Sequence, residues 1–355
     1  MRVLIAPDSF GNTLTAVEAA AAIALGWSRS RPDDHLVQAP QSDGGPGFID
    51  VLASRFGTRI TETVSGPLGA AVSAQWLLDD RDHARPVAYI ECAQACGLHQ
   101  LGGGPTPRTA LAADTHGVGE LIAAALTAGA REIVVGLGGS ATTDGGRGMI
   151  DALGGLAAAV ARLAGIEVVV ASDVENPLLG ESGAAAVFGP QKGADPATVE
   201  RLEERLTQWA HALSEIAGYD VSGAAGAGAA GGLGAALLAL GGSRVSGATV
   251  VAEATEQAAE IAAADLVATG EGKFDSQTLQ GKVVSALTTA AATAGASTVV
   301  FAGQVALEPE QIAAAGIGAA YSIVDFAGSV EVAMTDARNQ LTLLAAKAAA
   351  GWPRE

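Results

Sequence analysis

Cysteine is nearly absent from the sequence, which contains two such residues among 355. Cys92 and Cys96 lie four positions apart, with no second pair and no adjacent histidine. This spacing excludes a zinc knuckle and provides no disulfide framework, so we expect a reducing, cytoplasmic environment. A strand is predicted at Val87–Glu91, directly before them, and we therefore expect both cysteines to be small buried apolar side chains.

Long uninterrupted apolar runs are also missing. The apolar stretch after Met1 is too short for a signal peptide. Residues 223–242 carry no charge over enough length for a membrane span, but six glycines fall between Gly223 and Gly234. Glycine at this density makes a poor lipid-facing helix. We predict a loop followed by a buried helix in this stretch, and no membrane partner.

Positive charge is scarce throughout the chain. Lys and Arg together number 20 against 38 Asp and Glu, which gives a formal net charge of −18 and a sequence pI near 4.6. Such a surface repels nucleic acid and anionic lipid, so neither is an expected partner. Aromatic residues make up only 4% of a chain that is 49% hydrophobic, so its interior must be mainly aliphatic. At this length the chain suits two domains better than a single core.

Lysine is scarce even among the basic residues, with four lysines against sixteen arginines. Three of the four, Lys192, Lys273 and Lys282, lie in glycine-rich stretches. A lysine is a compact charge on a flexible stem, which suits a phosphate group. We interpret these three residues as anion-binding side chains. Chance placement of soluble residues in loops is the alternative.

Residues 138–146 have the clearest functional pattern. They follow a β-branched run and precede an apolar pair that predicts the start of a helix. A loop of glycines and hydroxyls between a strand and a helix is typical of phosphate binding, because its N–H groups can approach an anion closely. The residues that we expect to contact phosphate are Gly138, Gly139, Ser140, Thr142, Gly145 and Gly146. Asp144 could hold a metal ion or accept a proton, and the alternative is a tight connection with Asp144 as the N-cap.

Strand and helix patterns alternate at both ends of the chain, before residue 65 and again after residue 262. The segment between has a different rhythm, more typical of antiparallel or mixed strands. We therefore predict an α/β fold, with a Rossmann-like doubly wound parallel sheet built from residues 1–65 and 262–355. A second α/β domain, residues 66–261, is expected to be inserted into it.

Six carboxylates share a position at or just after a predicted strand end, and four of them are next to Gly or Pro. They are Asp8, Asp43, Asp144, Asp173, Glu271 and Asp275. One such residue alone is usually a turn or cap residue. Six of them, together with three loop lysines, favour phosphoryl transfer, which needs acids for Mg²⁺ and for the reacting hydroxyl and positive charge for the phosphates. Two dinucleotide-like glycine patterns, at 136–141 and 226–231, lack the required strand and acid context, so a nicotinamide or flavin cofactor is not expected.

Nine motifs follow one another along nearly the whole chain. They are residues 6–10, 43–45, 66–69, 117–122, 138–146, 173–178, 188–194, 226–232 and 269–273. In this order the sequence resembles the glycerate kinases of the bacterial two-domain type, which transfer phosphate from ATP to D-glycerate. The resemblance implies ATP as co-substrate, Mg²⁺ as cofactor, a small anionic hydroxy acid as substrate and 2-phosphoglycerate as product. It also implies a Rossmann-like domain with an inserted second domain, and it leaves room for a homo-oligomer.

The resemblance and the acid pattern together assign three groups of residues. The expected catalytic residues are Asp8, Asp43, Asp144, Lys192 and Glu271. The expected ATP-binding residues are those of the glycine loop with Lys273 and Lys282. Asp173 and Asp275 are the expected metal ligands.

The chain departs from the family pattern in two early loops. Gly11 stands where the family usually has a lysine, and Pro46 and Phe48 stand where it has a glutamate and a threonine. Thr143 replaces a usual Asn, and Lys273 a common Arg. Loss of one buried charge-assisted contact costs about 1.5–3 kcal/mol. A second hypothesis is therefore a divergent paralogue, weakly active or inactive, that binds nucleotide or an acid ligand in a regulatory role.

Overall fold

The strands of the protein form two separate sheets. The computed structural model describes residues 1–276, 278–280 and 283–353. One sheet has five strands and the other has six. In chain order the strands are β1 (Arg2–Pro7), β2 (His35–Gln38), β3 (Thr58–Ser65), β4 (Ala71–Asp79), β5 (Val87–Glu91), β6 (Glu132–Gly136), β7 (Glu167–Ala171), β8 (Ser243–Val245), β9 (Leu266–Phe274), β10 (Ser297–Val305) and β11 (Ala319–Ser322).

Helices connect most of these strands. They are α1 (Ala16–Ser30), α2 (Phe48–Ala53), α3 (Ala93–Cys96), α4 (Pro107–Ala112), α5 (His116–Thr127), α6 (Arg147–Ala152), α7 (Leu156–Leu163), α8 (Pro196–Ala217), α9 (Leu233–Ala239), α10 (Gly247–Ala254), α11 (Gln257–Ala262), α12 (Val283–Ala294), α13 (Pro309–Ala314), α14 (Ile323–Ala327), α15 (Val330–Thr335) and α16 (Ala337–Gly351). Over the described part of the chain, none is long and apolar enough to cross a membrane. The uncharged stretch at 223–242 is a loop followed by the short, fully buried helix α9, as its glycine content predicts.

The first compact unit comprises Met1–Ser42 and Val251–Glu355. Its sheet has the order β11-β10-β9-β1-β2, and every neighbouring pair is parallel. The carboxyl ends of all five strands therefore lie on one edge of the sheet, where α/β proteins usually bind ligands.

Helices cover both faces of this sheet. Alternate residues of β1 enter different cores, with Val3 beside α1 and α16 and Leu4 beside α12. Successive strand residues point to opposite faces, so the sheet is doubly wound. Gly26 lets α1 and α16 approach closely, because a Cβ at this position would lie 2.1 Å from the Thr342 carbonyl oxygen.

The second compact unit is Asp43–Val250. Its sheet has the order β3-β4-β5-β6-β7-β8, antiparallel from β3 to β5 and parallel from β5 to β8. The core combines β-branched residues of β6 and β7 with apolar side chains of α5, α8 and α9. The predicted mixed character of this segment is therefore correct, and its parallel half carries the glycine loop after β6.

The second unit is inserted into the first, and the predicted α/β fold with a Rossmann-like parallel sheet is confirmed. The boundaries differ from the expected ones at 65/66 and 261/262, because the units divide after Ser42 and after Val250. Helix α2 belongs to the second unit, since Phe48 packs edge-on against Tyr89 of β5 with ring centroids 6.2 Å apart. Conversely, Ile261 of α11 packs with Leu4 and Val267 in the first unit.

Candidate active site

A cavity of about 290 Å³ lies in the second unit, where the loop after β6 meets the segment containing Lys192. We call it the glycine-loop pocket. Its lining residues are Leu98, Leu137, Gly138, Gly139, Ser140, Val174, Phe188, Gln191, Lys192, Ala229 and Ala230. Three of the predicted phosphate-contacting residues, Gly138, Gly139 and Ser140, therefore face one cavity together with a predicted lysine.

A larger cavity of about 410 Å³ lies in the first unit, between α12 and α13. Among the residues that the structure describes, no predicted site residue lines it. Its threonine hydroxyls bond within α12, since Thr288 donates to the Val284 carbonyl and Thr289 to the Ser285 carbonyl. This cavity is larger than the glycine-loop pocket, but the convergent polar groups of the glycine-loop pocket make that pocket the better candidate for a site.

The rest of the glycine loop packs behind the pocket. Thr142 is completely buried, and a Cβ on Gly231 would lie 1.9 Å from the Thr142 carbonyl oxygen. A Cβ on Gly145 would lie 2.6 Å from Trp209 Cδ1, and one on Gly146 would lie 2.5 Å from Ala236 Cβ. These three loop residues thus allow close backbone packing. Thr142, Gly145 and Gly146 were expected to contact phosphate, whereas in the structure they pack against other parts of the second unit.

Lys192 is the charged group of the pocket. Only 3% of its surface is exposed, and its Nζ donates to Ser140 Oγ at 3.1 Å and to the Thr142 carbonyl oxygen at 2.6 Å. Burial lowers the pKa of the Lys192 ammonium to about 8. The pKa of the nearby Cys92 thiol is raised by its hydrogen bond with Cys96 and by burial, so this thiol stays neutral. Burial therefore governs the charge of Lys192, and an anion in the pocket would favour its protonated form.

Asp144 organises the loop from behind. Its Oδ2 accepts hydrogen bonds from Thr115 N at 2.9 Å, Thr115 Oγ1 at 2.8 Å and Gly148 N at 3.0 Å, and its Oδ1 accepts one from Gly146 N at 3.1 Å. Burial raises the pKa of Asp144, while these hydrogen bonds lower it. A half-buried carboxylate with four donors holds the start of α6 in place. The N-cap residue of α6 is Gly146 rather than Asp144, so the alternative of Asp144 as N-cap is not what the structure has, and the direct catalytic role of Asp144 stays a prediction.

Asp43 and Asp173 lie beside the same glycine. Gly247 N donates to Asp173 Oδ1 at 3.2 Å, and a Cβ on Gly247 would lie 1.9 Å from the Asp43 carbonyl oxygen. Both aspartates are exposed. The backbone next to Asp43 also contacts the glycine loop, because Gly138 N donates to the Gly44 carbonyl oxygen at 3.1 Å. The second unit thus brings two predicted acids to the edge that carries the pocket.

Asp8 and Glu271 lie at the carboxyl ends of neighbouring strands in the first unit. Asp8 N donates to the Gly270 carbonyl oxygen at 2.8 Å, and Glu271 is the next residue of β9. Asp8 Oδ1 accepts a hydrogen bond from Ser9 N at 2.6 Å. The parallel pairing of β1 with β9 explains why these two acids meet, although more than 260 positions separate them in sequence.

The remaining predicted residues lie in the last part of β9 or after it. Lys273 Nζ forms an ion pair with Asp275 Oδ2 at 3.2 Å, and the lysine side chain is 60% exposed. Lys273 was expected to bind phosphate and Asp275 to bind metal, whereas in the structure their side chains form an ion pair with each other. Lys282 lies outside the described residues.

Sequence reasoning missed two polar residues that shape this site. Thr115 bonds Asp144, as described above, and its Oγ1 also accepts from Met149 N at 2.9 Å. Glu91, at the end of β5, accepts from Gly47 N at 3.1 Å and Ile49 N at 3.3 Å. Its place at a strand end was visible in the sequence, but the backbone donors that it binds, more than 40 positions earlier, were not.

Comparisons with known proteins agree on one family. A family model described as "Glycerate kinase family" matches residues 3–159 and 156–353. A protein of Mycobacterium bovis without an assigned function is 59% identical over 99% of this chain and 91% of its own length. A glycerate kinase of Halalkalibacterium halodurans is 38% identical over 94% of this chain and 93% of its own length. The crystal structure of a candidate glycerate kinase 2 from Salmonella typhimurium LT2 superposes with a TM-score of 0.80 at 37% identity, covering 99% of this chain and 97% of that one.

Proposed function

Because the chain belongs to the glycerate kinase family, we propose that it transfers the γ-phosphoryl group of ATP to a hydroxyl of D-glycerate or a closely related small hydroxy acid. The products are ADP and a phosphoglycerate, with 2-phosphoglycerate expected. The observation that carries this proposal is Lys192, a buried lysine that shares a pocket with the glycines and hydroxyl of the loop after β6.

The glycine-loop pocket supplies what a transferring phosphoryl group needs. Catalysis of this reaction depends mainly on positioning and on stabilising charge at the phosphoryl oxygens. Lys192 provides the charge, and the Ser140 hydroxyl provides a hydrogen-bond donor. In a protein with a net charge of −18, a local cation of this kind is required to hold an anionic substrate.

Asp43 is the proposed acceptor of the proton from the reacting hydroxyl. The hydroxyl oxygen of the substrate bonds to the γ-phosphorus as the bond from that phosphorus to the oxygen of the leaving ADP breaks, and the hydroxyl proton passes to the Asp43 carboxylate. Asp8 and Glu271 remain proposed members of the catalytic group because they meet at the ligand-binding edge of the first sheet. Asp144 acts by positioning the loop, because both of its carboxylate oxygens accept hydrogen bonds from the protein.

Mg²⁺ is the expected cofactor, and it neutralises phosphate charge when bound with ATP. This ion usually keeps several waters and takes one or two protein carboxylates together with phosphate oxygens. Asp173 fits that pattern, because its carboxylate is exposed and only Oδ1 accepts the bond from Gly247 N. Asp275 would have to exchange its ion pair with Lys273 to serve in the same way.

The alternative is the divergent paralogue, a regulatory protein that binds nucleotide or an acid ligand with little turnover. Pro46 favours it, since a Cβ on Gly139 would lie 2.6 Å from Pro46 Cγ, so an uncharged ring sits beside the pocket. Gly11 has φ +57°, a conformation that disfavours a lysine side chain there. The proposed location is cytoplasmic, in keeping with the two free thiols, and a homo-oligomer stays a prediction.

The first prediction concerns turnover and separates these two proposals. Purified protein with Mg²⁺ and ATP is expected to release ADP with D-glycerate, and less with other hydroxy acids of similar size. A coupled ADP-release assay measures the rates, and phosphorus NMR identifies which hydroxyl is phosphorylated. Retained ATP binding without ADP release for any acid in the panel would contradict the kinase proposal and support the regulatory one. Full activity that Gly11→Lys does not improve would contradict the regulatory proposal.

A further inference from the structure

Glu91 is a buried carboxylate that the proposed reaction does not use. It is the last residue of β5, with 3% of its surface exposed. Its Oε2 accepts hydrogen bonds from Gly47 N at 3.1 Å and from Ile49 N at 3.3 Å. Gln94 also hydrogen-bonds its carboxylate. Glu91 therefore holds the start of α2 from a neighbouring strand.

The segment tied down in this way, residues 43–47, packs directly on the glycine loop. A Cβ on Gly138 would lie 2.3 Å from Gly45 Cα, and Gly138 N donates to the Gly44 carbonyl oxygen. On the sheet beneath, Glu91 is the residue paired with Gly136, two positions before the loop begins. The same carboxylate thus sits between the strand that leads into the pocket and the segment that carries Asp43.

We propose that Glu91 is a positioning residue, whose ionised carboxylate holds residues 43–47 on the glycine loop and so places Asp43 for the proposed phosphoryl transfer. This inference rests on the proposed function for its catalytic consequence. Its structural part, the tether between β5 and residues 43–47, is independent of any reaction.

Burial disfavours the ionised form of the Glu91 carboxylate. Burial, and to a smaller extent the Asp50 carboxylate on α2, raise the pKa of Glu91 to about 7 against the lowering effect of its three hydrogen bonds. The other titratable neighbour is Cys92, the next residue, whose raised thiol pKa keeps it neutral. From β6, the paired residue Gly136 brings no side chain. Both backbone donors bond an ionised acceptor more strongly than a neutral one, so protonation weakens the tether.

The stability effect of this group runs opposite to its catalytic effect. Its folded-state pKa is raised above the unfolded value, so the folded state binds the proton more tightly. The stabilising contribution is fully present below pH 4.5 and is lost as the pH rises through about 7. A glutamine at this position avoids that loss. We therefore expect Glu91→Gln to be at least as stable as the wild type at pH 8.

The decisive experiment measures kcat and KM from pH 5.5 to 9 for the wild type, Glu91→Gln and Asp50→Asn. Wild-type kcat is expected to rise with pH through about 7 as Glu91 ionises. Glu91→Gln should lose this rise and have a kcat at pH 8 about tenfold lower, with KM for ATP within about twofold of the wild-type value. Asp50→Asn is the matched control, because removal of the neighbouring charge should move the rise to lower pH without lowering the kcat plateau.

A catalysis-independent measurement accompanies these rates. Hydrogen exchange of the Gly47 and Ile49 amides is expected to be at least about tenfold faster in Glu91→Gln than in the wild type at the same pH. An unchanged kcat profile in Glu91→Gln would overturn the inference, as would unchanged exchange at these two amides. Absence of ADP release by the wild type, together with faster exchange in the variant, would instead contradict the proposed function and leave the tether supported.

Discussion

Lys192 and Glu91 are both buried ionisable residues, and burial shifts the pKa of each toward the physiological pH range. Burial lowers the pKa of Lys192 to about 8 and raises that of Glu91 to about 7. The protein therefore places one base and one acid, each able to change charge near physiological pH, on two sides of the same loop. Groups with perturbed pKa values in one region are typical of functional sites.

A prediction at this scale concerns the alkaline limb of the pH profile. Lys192 must be protonated to stabilise phosphoryl oxygens, and its lowered pKa means that the positive charge is lost as the pH rises through about 8. We expect wild-type kcat/KM for ATP to fall about tenfold for each pH unit above that value. Rates measured from pH 7 to 10 check this, with ATP and glycerate subsaturating. A constant value up to pH 9.5 would contradict the role of Lys192. In Glu91→Gln the alkaline limb should remain.

The sequence revealed some of these residues and concealed others for physical reasons. Lys192 was found because lysine is rare in the chain. Glu91 was missed because the backbone donors that it binds, in Gly47 and Ile49, lie more than 40 positions earlier. Asp144 was recognised, but its carboxylate function depends on Thr115, 29 positions away. Local spacing indicates which residue types are present, and only tertiary contacts decide whether a carboxylate is free or capped.

At the level of single elements, the loop after β6 is held by distant segments. Trp209 of α8 donates from Nε1 to the Gly145 carbonyl oxygen at 2.9 Å. The turn around Ala230 and Gly231 supports Thr142, and Ala230 adopts φ +49° although it is not glycine. Positive φ in a non-glycine residue that lines a pocket indicates backbone strain held in place by its surroundings. The strand, loop and helix order was predictable from periodicity, whereas this support from α8 and residues 229–232 was not.

Gly231→Ala tests how tightly this support is packed. The new Cβ would lie 1.9 Å from the Thr142 carbonyl oxygen at φ +65°, so the backbone must move. We expect the free energy of unfolding to fall by about 3 kcal/mol. Gly218→Ala is the control, since Gly218 has φ +75° with no atom of the described residues within 4 Å of a Cβ, and it should cost about 1 kcal/mol. Urea denaturation compares the two variants, and equal losses would show that crowding at Gly231 is unimportant.

For the whole molecule, the second unit is an insertion whose two ends lie close together. Asp43 begins it, and Gly247 near its end contacts the Asp43 carbonyl so closely that a Cβ would lie only 1.9 Å away. Neighbouring ends are typical of an insertion that folds on its own. The insertion was predictable from the alternating patterns at both chain ends. The boundaries of the insertion were not predictable, because α2 and β3 continue the strand and helix pattern that precedes them. Only their packing on β4 and β5 assigns them to the second unit.

Expression of residues 43–250 alone tests this organisation. The fragment is expected to unfold in one cooperative thermal transition and to protect the amides of β5, β6 and β7 from hydrogen exchange. Residues 66–261, the range expected from the sequence, provide the comparison. This fragment lacks α2 and β3 and should unfold at a lower temperature. Equal melting temperatures for the two fragments would contradict the boundary at Ser42.

Single-turnover transfer from γ-labelled ATP to D-glycerate is the most direct test of the glycine-loop pocket as the place of phosphoryl transfer. The wild type should transfer label, and Lys192→Gln should do so at least about 100-fold more slowly, because one preorganised charge at the phosphoryl oxygens is lost. Arg162→Gln, which removes an exposed positive charge from the same unit, should match the wild type. A Lys192→Gln rate within about threefold of the wild-type rate, which is less than 1 kcal/mol of barrier, would contradict the account.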